Sequence, residues 1–197
     1  LQRRDGRFFN TCMMASALGA ATSDALEDGR VVSGVGGQYN FVAMAHELDD
    51  GRSVLMLRAT RESAGKLSGN IVWDYGHTTI ARHQRDIYIT EYGIADVRGK
   101  VDEDVIVAMC GIADVRDQAA LVEAGKRGLK LDEGFDAPAA WSRNTAARVR
   151  EALAPFRANG TLPDYPLGSD FTGVEQRLVK ALSRLKSRKV ATAEVPV

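Results

Sequence analysis

The sequence predicts an α/β fold in which a largely parallel sheet is flanked by helices and followed by a C-terminal helical extension. Over residues 1–130, apolar segments of strand length alternate with segments of helical spacing, which favours strands with helices on the faces of the sheet. Residues 131–197 lack this alternation and end in one long amphipathic pattern. We therefore divide the 197 residues into an α/β domain, 1–130, and a helical extension, 131–197.

The first half of the chain supplies the strand candidates. Residues 7–22 are small and apolar, and their periodicity does not separate strand from helix. Apolar spacing predicts a helix over residues 39–48, and the run at 53–58 predicts a buried strand. Two further strand candidates lie at 70–73 and 87–90.

The second half is dominated by helical patterns. Asp102 is expected to cap a helix that continues to Ile112, and a second helix over 119–128 should end at Gly128. Further helices are expected over 146–156 and 172–189, and residues 190–197 should fray. One face of the last helix is basic, which indicates either a solvated surface, the simpler interpretation, or a contact with a phosphate-rich ligand or a partner.

Composition excludes several classes of protein. Lys plus Arg and Asp plus Glu each number 26, so the basic surplus of a general nucleic-acid binder is missing. No apolar run approaches the roughly 18 residues that a membrane helix needs. Cys12 and Cys110 lie apart in apolar stretches, which predicts reduced, metal-free thiols and a cytoplasmic location. The chain begins at Leu1, and we expect it to be a fragment of a longer protein.

A glycine-dense stretch, SGVGGQ at residues 33–38, lies between a strand and a helix. Glycine lets the backbone approach a ligand closely, and the following helix start offers free N–H groups to an anion or oxyanion. The stretch lacks the Gly-Lys-Ser/Thr of mononucleotide loops and the third glycine of dinucleotide loops. A tight turn without function remains the alternative.

A second stretch, TEYGIADVRGK at residues 90–100, places Glu91 at the end of a strand. Side chains at strand ends of α/β sheets lie where ligands bind. Glu91 could act as a nucleophile or base, or it could pair with Arg82 or Arg98, and we favour the ion pair.

The three histidines show no metal-ligand spacing, and we expect them on the surface or in loops: His46, His77 and His83.

Together, SGVGGQYNF at 33–41 and TEYGIADVRG at 90–99 resemble the two hallmark motifs of the acetyl-CoA hydrolase/transferase family, in its C-terminal domain. Their order and separation also fit, and the resemblance covers about residues 10–128. It implies a coenzyme A transferase-like (NagB/RpiA-like) fold built from two related α/β domains. Members move coenzyme A between carboxylic acids or hydrolyse a short-chain acyl-CoA, as in acetate metabolism.

The resemblance also implies a mechanism and a set of partners. A glutamate attacks the thioester, giving a mixed anhydride and then a glutamyl–CoA thioester. That glutamate lies upstream of the matched region, so the N-terminal domain of the same polypeptide is an implied partner. Coenzyme A is substrate and product rather than a covalently bound cofactor, and small carboxylic acids are the other substrates. A homodimer is also compatible with the resemblance.

The family's motifs assign roles to individual residues. Gly37 matches the glycine whose N–H faces the oxyanion, and Glu91 matches a motif glutamate that is not the nucleophile. The coenzyme A and substrate-binding positions are Gly34, Gly36, Gly37, Gln38, Thr60, Arg61 and Asn10. Two other functions stay open: a non-catalytic coenzyme A-binding or assembly module of the same fold, and an unrelated nucleotide-binding α/β domain.

Overall fold

Strands and helices alternate in the computed structural model, which describes residues 4–63, 65–163, 165 and 168–187. The described strands are β1 Arg7–Thr11, β2 Met14–Ser16, β3 Ala21–Thr22, β4 Arg52–Met56, β5 Thr60–Ser63, β6 Lys66–Gly69, β7 Ile71–Val72, β8 Ile87–Thr90 and β9 Gly93–Asp96. The described α-helices are α1 Gln38–Glu47, α2 Asp102–Gly111, α3 Val115–Arg127, α4 Ala146–Ala158 and α5 Gly173–Ser187. Two short 3-10 helices cover Arg82–Gln84 and Ala139–Arg143.

The main sheet has the order β1-β4-β8-β9. Strands β1, β4 and β8 run parallel, with Val54 opposite Phe9 and Ile87, and β9 runs antiparallel to β8. A smaller sheet has the order β3-β2-β7, with β2 antiparallel to β3 and parallel to β7, and β5 and β6 form a hairpin. The sheet arrangement is therefore mixed, with a parallel centre, where the sequence predicts a largely parallel sheet.

The apolar core lies between these sheets and the helices packed on them. Helix α1 packs against β1 and β4, and α2 packs against β9 and α3. Val105, Ile106 and Met109 of α2 are fully buried, as is Tyr88 of β8. The Tyr88 hydroxyl donates a hydrogen bond to the carbonyl of Gly19, so this buried polar group is satisfied.

Several predicted elements are confirmed with small shifts of their ends. The predicted helix 39–48 starts one residue early, and the strand 87–90 has the expected bounds. The helix predicted over 119–128 starts at Val115, because the Asp114 side chain accepts a hydrogen bond from the Arg116 N–H and so caps it, and Gly128 follows its end as expected. Helix α5 confirms the long amphipathic pattern, while residues 188–197, with the expected frayed tail, lie outside the described residues.

The predicted capping role of Asp102 is wrong. Val101 stands at the N-cap of α2 and no side chain bonds the free N–H groups there. The Asp102 carboxylate instead pairs with Lys130, Arg85 and Arg82, each at 3.1 Å. Hydrogen bonds from these three cations, that from Lys130 foremost, lower the pKa of Asp102 to about 2.

The chain divides into two compact units, residues 1–152 and 153–197. Asn144, just before α4, holds its segment to the end of α2, because its side-chain amide donates to the carbonyls of Gly111 and Ala113.

Within the described residues, no helix is both long and apolar enough to span a bilayer.

Asp86 is the central polar contact of the main sheet. Only 3% exposed, it accepts hydrogen bonds from the Ser53 N–H at 2.6 Å, from Arg52 Nε at 2.7 Å and from Arg98 Nη2 at 2.5 Å. Its own carbonyl accepts the Val97 N–H. One carboxylate therefore ties the start of β4, the start of β8 and the end of β9 together.

We predict that Asp86→Asn lowers the free energy of unfolding by about 3 kcal/mol, because it leaves two arginines without their shared buried countercharge. Urea denaturation followed by far-UV circular dichroism measures the change. Asp136→Asn, which alters an exposed carboxylate of the same unit, is the matched control and should change stability by less than about 0.5 kcal/mol. Equal urea midpoints for the two variants would contradict the role of Asp86.

Candidate active site

The functional candidates meet at one edge of the main sheet. Because β1, β4 and β8 are parallel, their carboxyl ends at Thr11, Met56 and Thr90 lie on the same side. The chain segments after these strands form two recesses there, which share residues 11–13 as a common wall. Ligands of open α/β sheets bind at this edge.

The first recess, the glycine groove, has a volume of about 410 Å³. It lies between the end of β1 and the start of α1, and its lining includes Asn10, Ser23, Gly34, Gly37 and Gln38. Gln38 is buried and its amide donates to the Thr11 carbonyl at 3.0 Å, which fastens the start of α1 to the end of β1.

Two glycines give the loop its shape. Gly36 has a φ of +58°, in the left-handed region, so glycine is favoured there by backbone conformation and not by lack of space. Gly37 is the N-cap residue of α1, with its carbonyl accepting the Phe41 N–H at 3.0 Å. The N–H groups at a helix start have no partner within the helix. The Gln38 N–H donates to the Val35 carbonyl at 3.4 Å, whereas the Gly37 N–H has no hydrogen-bond partner among the described residues and can bind an anion or a developing oxyanion in the groove.

Three side-chain atoms that border this groove are buried without a hydrogen-bond partner among the described residues: Asn10 Nδ2, Ser23 Oγ and Gln38 Oε1. A buried polar atom left unsatisfied costs about 1–3 kcal/mol. Such atoms at one groove are typical of a place that a ligand or ordered water completes. Ser23 was not expected from the sequence, because only the fold brings the end of β3 beside the glycine loop.

The second recess, the strand-end recess, has a volume of about 840 Å³ and is lined by Arg58, Thr60, Arg61 and Glu91 among others. Glu91 Oε2 accepts a hydrogen bond from the Ala59 N–H at 2.8 Å. This carboxylate therefore holds the loop that follows β4.

The ion pair that we favour for Glu91 from the sequence is wrong. Arg82 pairs with Asp102, and Arg98 pairs with Asp86. Glu91 takes a backbone donor instead, because the arginines close to it in sequence are engaged at the opposite edge of the sheet.

The expected binding residues are divided between the two recesses. Asn10, Gly34, Gly37 and Gln38 line the glycine groove, and Thr60 and Arg61 line the strand-end recess. Gly36 lies in the glycine loop without lining either recess.

Cys12, in the shared wall, and Cys110 are both free thiols. Burial raises the pKa of each to about 12, so neither forms a thiolate nucleophile near neutral pH. Within the described part of the chain, no group of three His, Cys, Asp or Glu side chains could hold a metal ion.

The family model of the acetyl-CoA hydrolase/transferase C-terminal domain matches residues 1–125. The chain belongs to the acetyl-CoA hydrolase/transferase family. Both recesses lie within the residues that this model matches.

Two known proteins illustrate what the chain is similar to. The chain is 28% identical over 120 residues, 60% of its length, to a 4-hydroxybutyrate coenzyme A transferase of Clostridium kluyveri. The crystal structure of RipA from Yersinia pestis superposes with a TM-score of 0.56 over 63% of the chain at 23% identity, which shows a shared fold. The chain spans 28% of the length of each of these proteins.

We predict that Glu91→Ala lowers the free energy of unfolding by about 1 kcal/mol, because the buried Ala59 N–H loses its acceptor. Glu91→Gln should cost less, since its amide oxygen can still accept. Thermal unfolding compares them with Glu123→Ala, a matched change at an exposed carboxylate of α3. The assignment fails if Glu91→Ala is as stable as Glu123→Ala.

Proposed function

We propose that this family domain forms one half of the active site of an acyl-CoA hydrolase or coenzyme A-transferase that acts on short-chain acyl-CoA. One observation carries the proposal: both family motifs, the glycine loop and the Glu91 turn, lie at the carboxyl edge of the same parallel strands, in adjoining recesses. Their closeness supports a single site that binds one extended ligand.

In the proposed reaction a glutamate upstream of this chain attacks the thioester carbonyl. The carbonyl oxygen becomes an oxyanion, the coenzyme A thiolate leaves, and a mixed anhydride remains. The thiolate then attacks the glutamyl carbonyl, which releases the carboxylate product and leaves a glutamyl–CoA thioester. Water or an acceptor carboxylate attacks that thioester in the last stage.

This chain would contribute the groups that position the reactants. The Gly37 N–H would stabilise the oxyanion, since a backbone donor at a helix start needs no reorganisation when the charge develops. Asn10 would border the acyl group in the glycine groove. In the strand-end recess, the exposed Arg58 and Arg61 offer cations to the phosphates of coenzyme A, beside the hydroxyl of Thr60.

The exposed surface around the glycine loop is evidence that a partner covers it, and we propose that this partner is the N-terminal domain of the same polypeptide. Several large apolar side chains are exposed next to the loop: Val31, Val32, Val35, Tyr39 and Phe41. Contiguous exposed apolar surface marks an interaction site.

Two free thiols favour a reducing compartment, and we propose the cytoplasm.

We predict that this 197-residue chain alone neither hydrolyses acetyl-CoA nor transfers coenzyme A, because it lacks the proposed covalent nucleophile. Free thiol release from acetyl-CoA, compared with the buffer rate, measures hydrolysis. Borohydride trapping then tests for an enzyme–CoA thioester. Thiol release or trapped thioester that Glu91→Gln abolishes would make Glu91 the nucleophile, and activity that survives this change would disprove the proposed mechanism.

We predict that Gly37→Val, in the complete enzyme, reduces kcat by roughly 100- to 1,000-fold, the loss expected when the valine side chain keeps the reacting oxygen away from the oxyanion donor. The fold should tolerate the change, since a Cβ at Gly37 meets only Phe41 Cε2 at 3.8 Å and φ is −87°. Steady-state turnover with a panel of acyl-CoA donors measures the effect, with the melting temperature as a check on folding.

Ala119→Val, on the exposed side of α3, is the control for this prediction and should keep kcat within about twofold. A folded Gly37→Val enzyme that turns over acyl-CoA at the wild-type rate would remove Gly37 from the mechanism.

A further inference from the structure

A third recess, which we call the basic recess, lies at the opposite edge of the main sheet from the candidate active site. It has a volume of about 440 Å³ and its lining includes Arg82, Arg85, Arg98, Lys100, His46 and His83. These residues come before β8 or after β9, apart from His46 in the last turn of α1. Because β9 is antiparallel to β8, both segments lie at the amino end of β8.

Positive charge is in excess in this recess. Among the described residues that line it, four are Arg or Lys and Asp102 is the one carboxylate. Asp86 neutralises part of the charge of Arg98 from beneath, and Lys130 adds a further cation beside Asp102. The whole chain has a formal net charge of zero, so this local excess is a property of the fold and not of the composition.

Some of the cations build the recess, and others remain available. Arg85 is only 15% exposed and is engaged by Asp102 and by the carbonyls of Leu18 and Lys100. In contrast, the side chains of Lys100 and His83 form no hydrogen bond or ion pair with any described residue, and both are exposed. Arg82 contacts Asp102 but keeps 55% of its side chain exposed.

We propose that the basic recess binds a compact, multiply charged phosphate anion, for which inorganic diphosphate is the model. Lys100, Arg82 and His83 supply the donors, while Arg85 and Asp102 hold the wall in place. The recess has room for more than one phosphoryl group, within the range of ligand sites. Among the described residues, no Phe, Tyr, Trp or large apolar side chain lines it, so it offers little surface to a large apolar ligand group.

This site is separate from the region proposed for coenzyme A. The glycine groove and the strand-end recess lie at the carboxyl ends of the parallel strands, and the basic recess lies at the amino end. Helix α1 reaches both regions, with Gly37 at its N-cap and His46 in its last turn. The inference does not depend on the proposed function and can be tested without an activity assay.

Isothermal titration of the full chain with sodium diphosphate at low ionic strength tests the proposal. We expect a Kd of about 100 μM that weakens when salt is raised to about 0.3 M, as an exposed electrostatic site requires. Lys100→Gln should weaken binding about fivefold to tenfold, and the double change Lys100→Gln with Arg82→Gln about 30-fold or more. Lys66→Gln, at an exposed lysine of the β5–β6 hairpin, is the matched control and should leave Kd within about twofold.

Each outcome decides the assignment. Absence of binding at about 5 mM diphosphate, or equal affinities for wild type and Lys100→Gln, would overturn the site. Since the Lys100 side chain has no partner among the described residues, this single variant keeps the test valid even if the double variant unfolds. Citrate binding more tightly than diphosphate would overturn the preference for phosphate. Adenosine diphosphate binding that is more than about tenfold tighter and is weakened by Lys100→Gln would overturn a compact ligand.

Discussion

The buried carboxylate of Asp86 sets the geometry on which both edges of the sheet depend. It accepts hydrogen bonds from Arg52 and Ser53 at the start of β4 and from Arg98 after β9, so it joins these two segments to its own at the start of β8. A carboxylate removed from water is tolerated only when its acceptor positions are filled, so the segments that fill them cannot slide independently. The starts of β4 and β8 are thereby aligned, and the ends of these short strands are aligned with them.

That alignment brings the two family motifs together. Strand β4 has five residues and β8 has four, so a fixed start leaves little freedom in where each strand ends. Glu91, just after β8, reaches the Ala59 N–H just after β4, and this contact closes the carboxyl edge that Asp86 holds from the amino side. Arg98 belongs to the Asp86 cluster and also lines the basic recess, so the same buried charge shapes the opposite edge.

The sequence predicts those parts of the fold whose cause is local. The buried run of β4, the apolar spacing of α1 and the glycine after α3 can each be recognised from neighbouring residues alone. The sequence does not predict strand β9 or the β5–β6 hairpin. Their residues are largely polar or include glycine, so they carry no apolar strand pattern, and they become strands by pairing with a neighbouring strand.

The same limit applies to the individual site residues. The ion pair predicted for Glu91 and the capping role predicted for Asp102 are wrong, because each carboxylate instead binds a group that a distant segment brings close to it. The sequence points to the glycine groove through its glycines, which form a recognisable motif, and through Asn10, which the family resemblance assigns to the substrate site. Ser23 carries no such signal, since its place beside the groove follows from the small β3-β2-β7 sheet.

The exposure of the glycine loop bears on how such a site could reach full efficiency. All residues of 31–37 are exposed, and the loop is fastened to the sheet where Gln38 bonds the Thr11 carbonyl. An oxyanion site is effective when its donors are held in place before the charge develops. Segments with few buried apolar contacts open at low free-energy cost. A partner that covers Val31, Val32 and Phe41 would therefore do more than add a nucleophile, because burying these side chains would also rigidify the N–H groups that the proposed reaction uses.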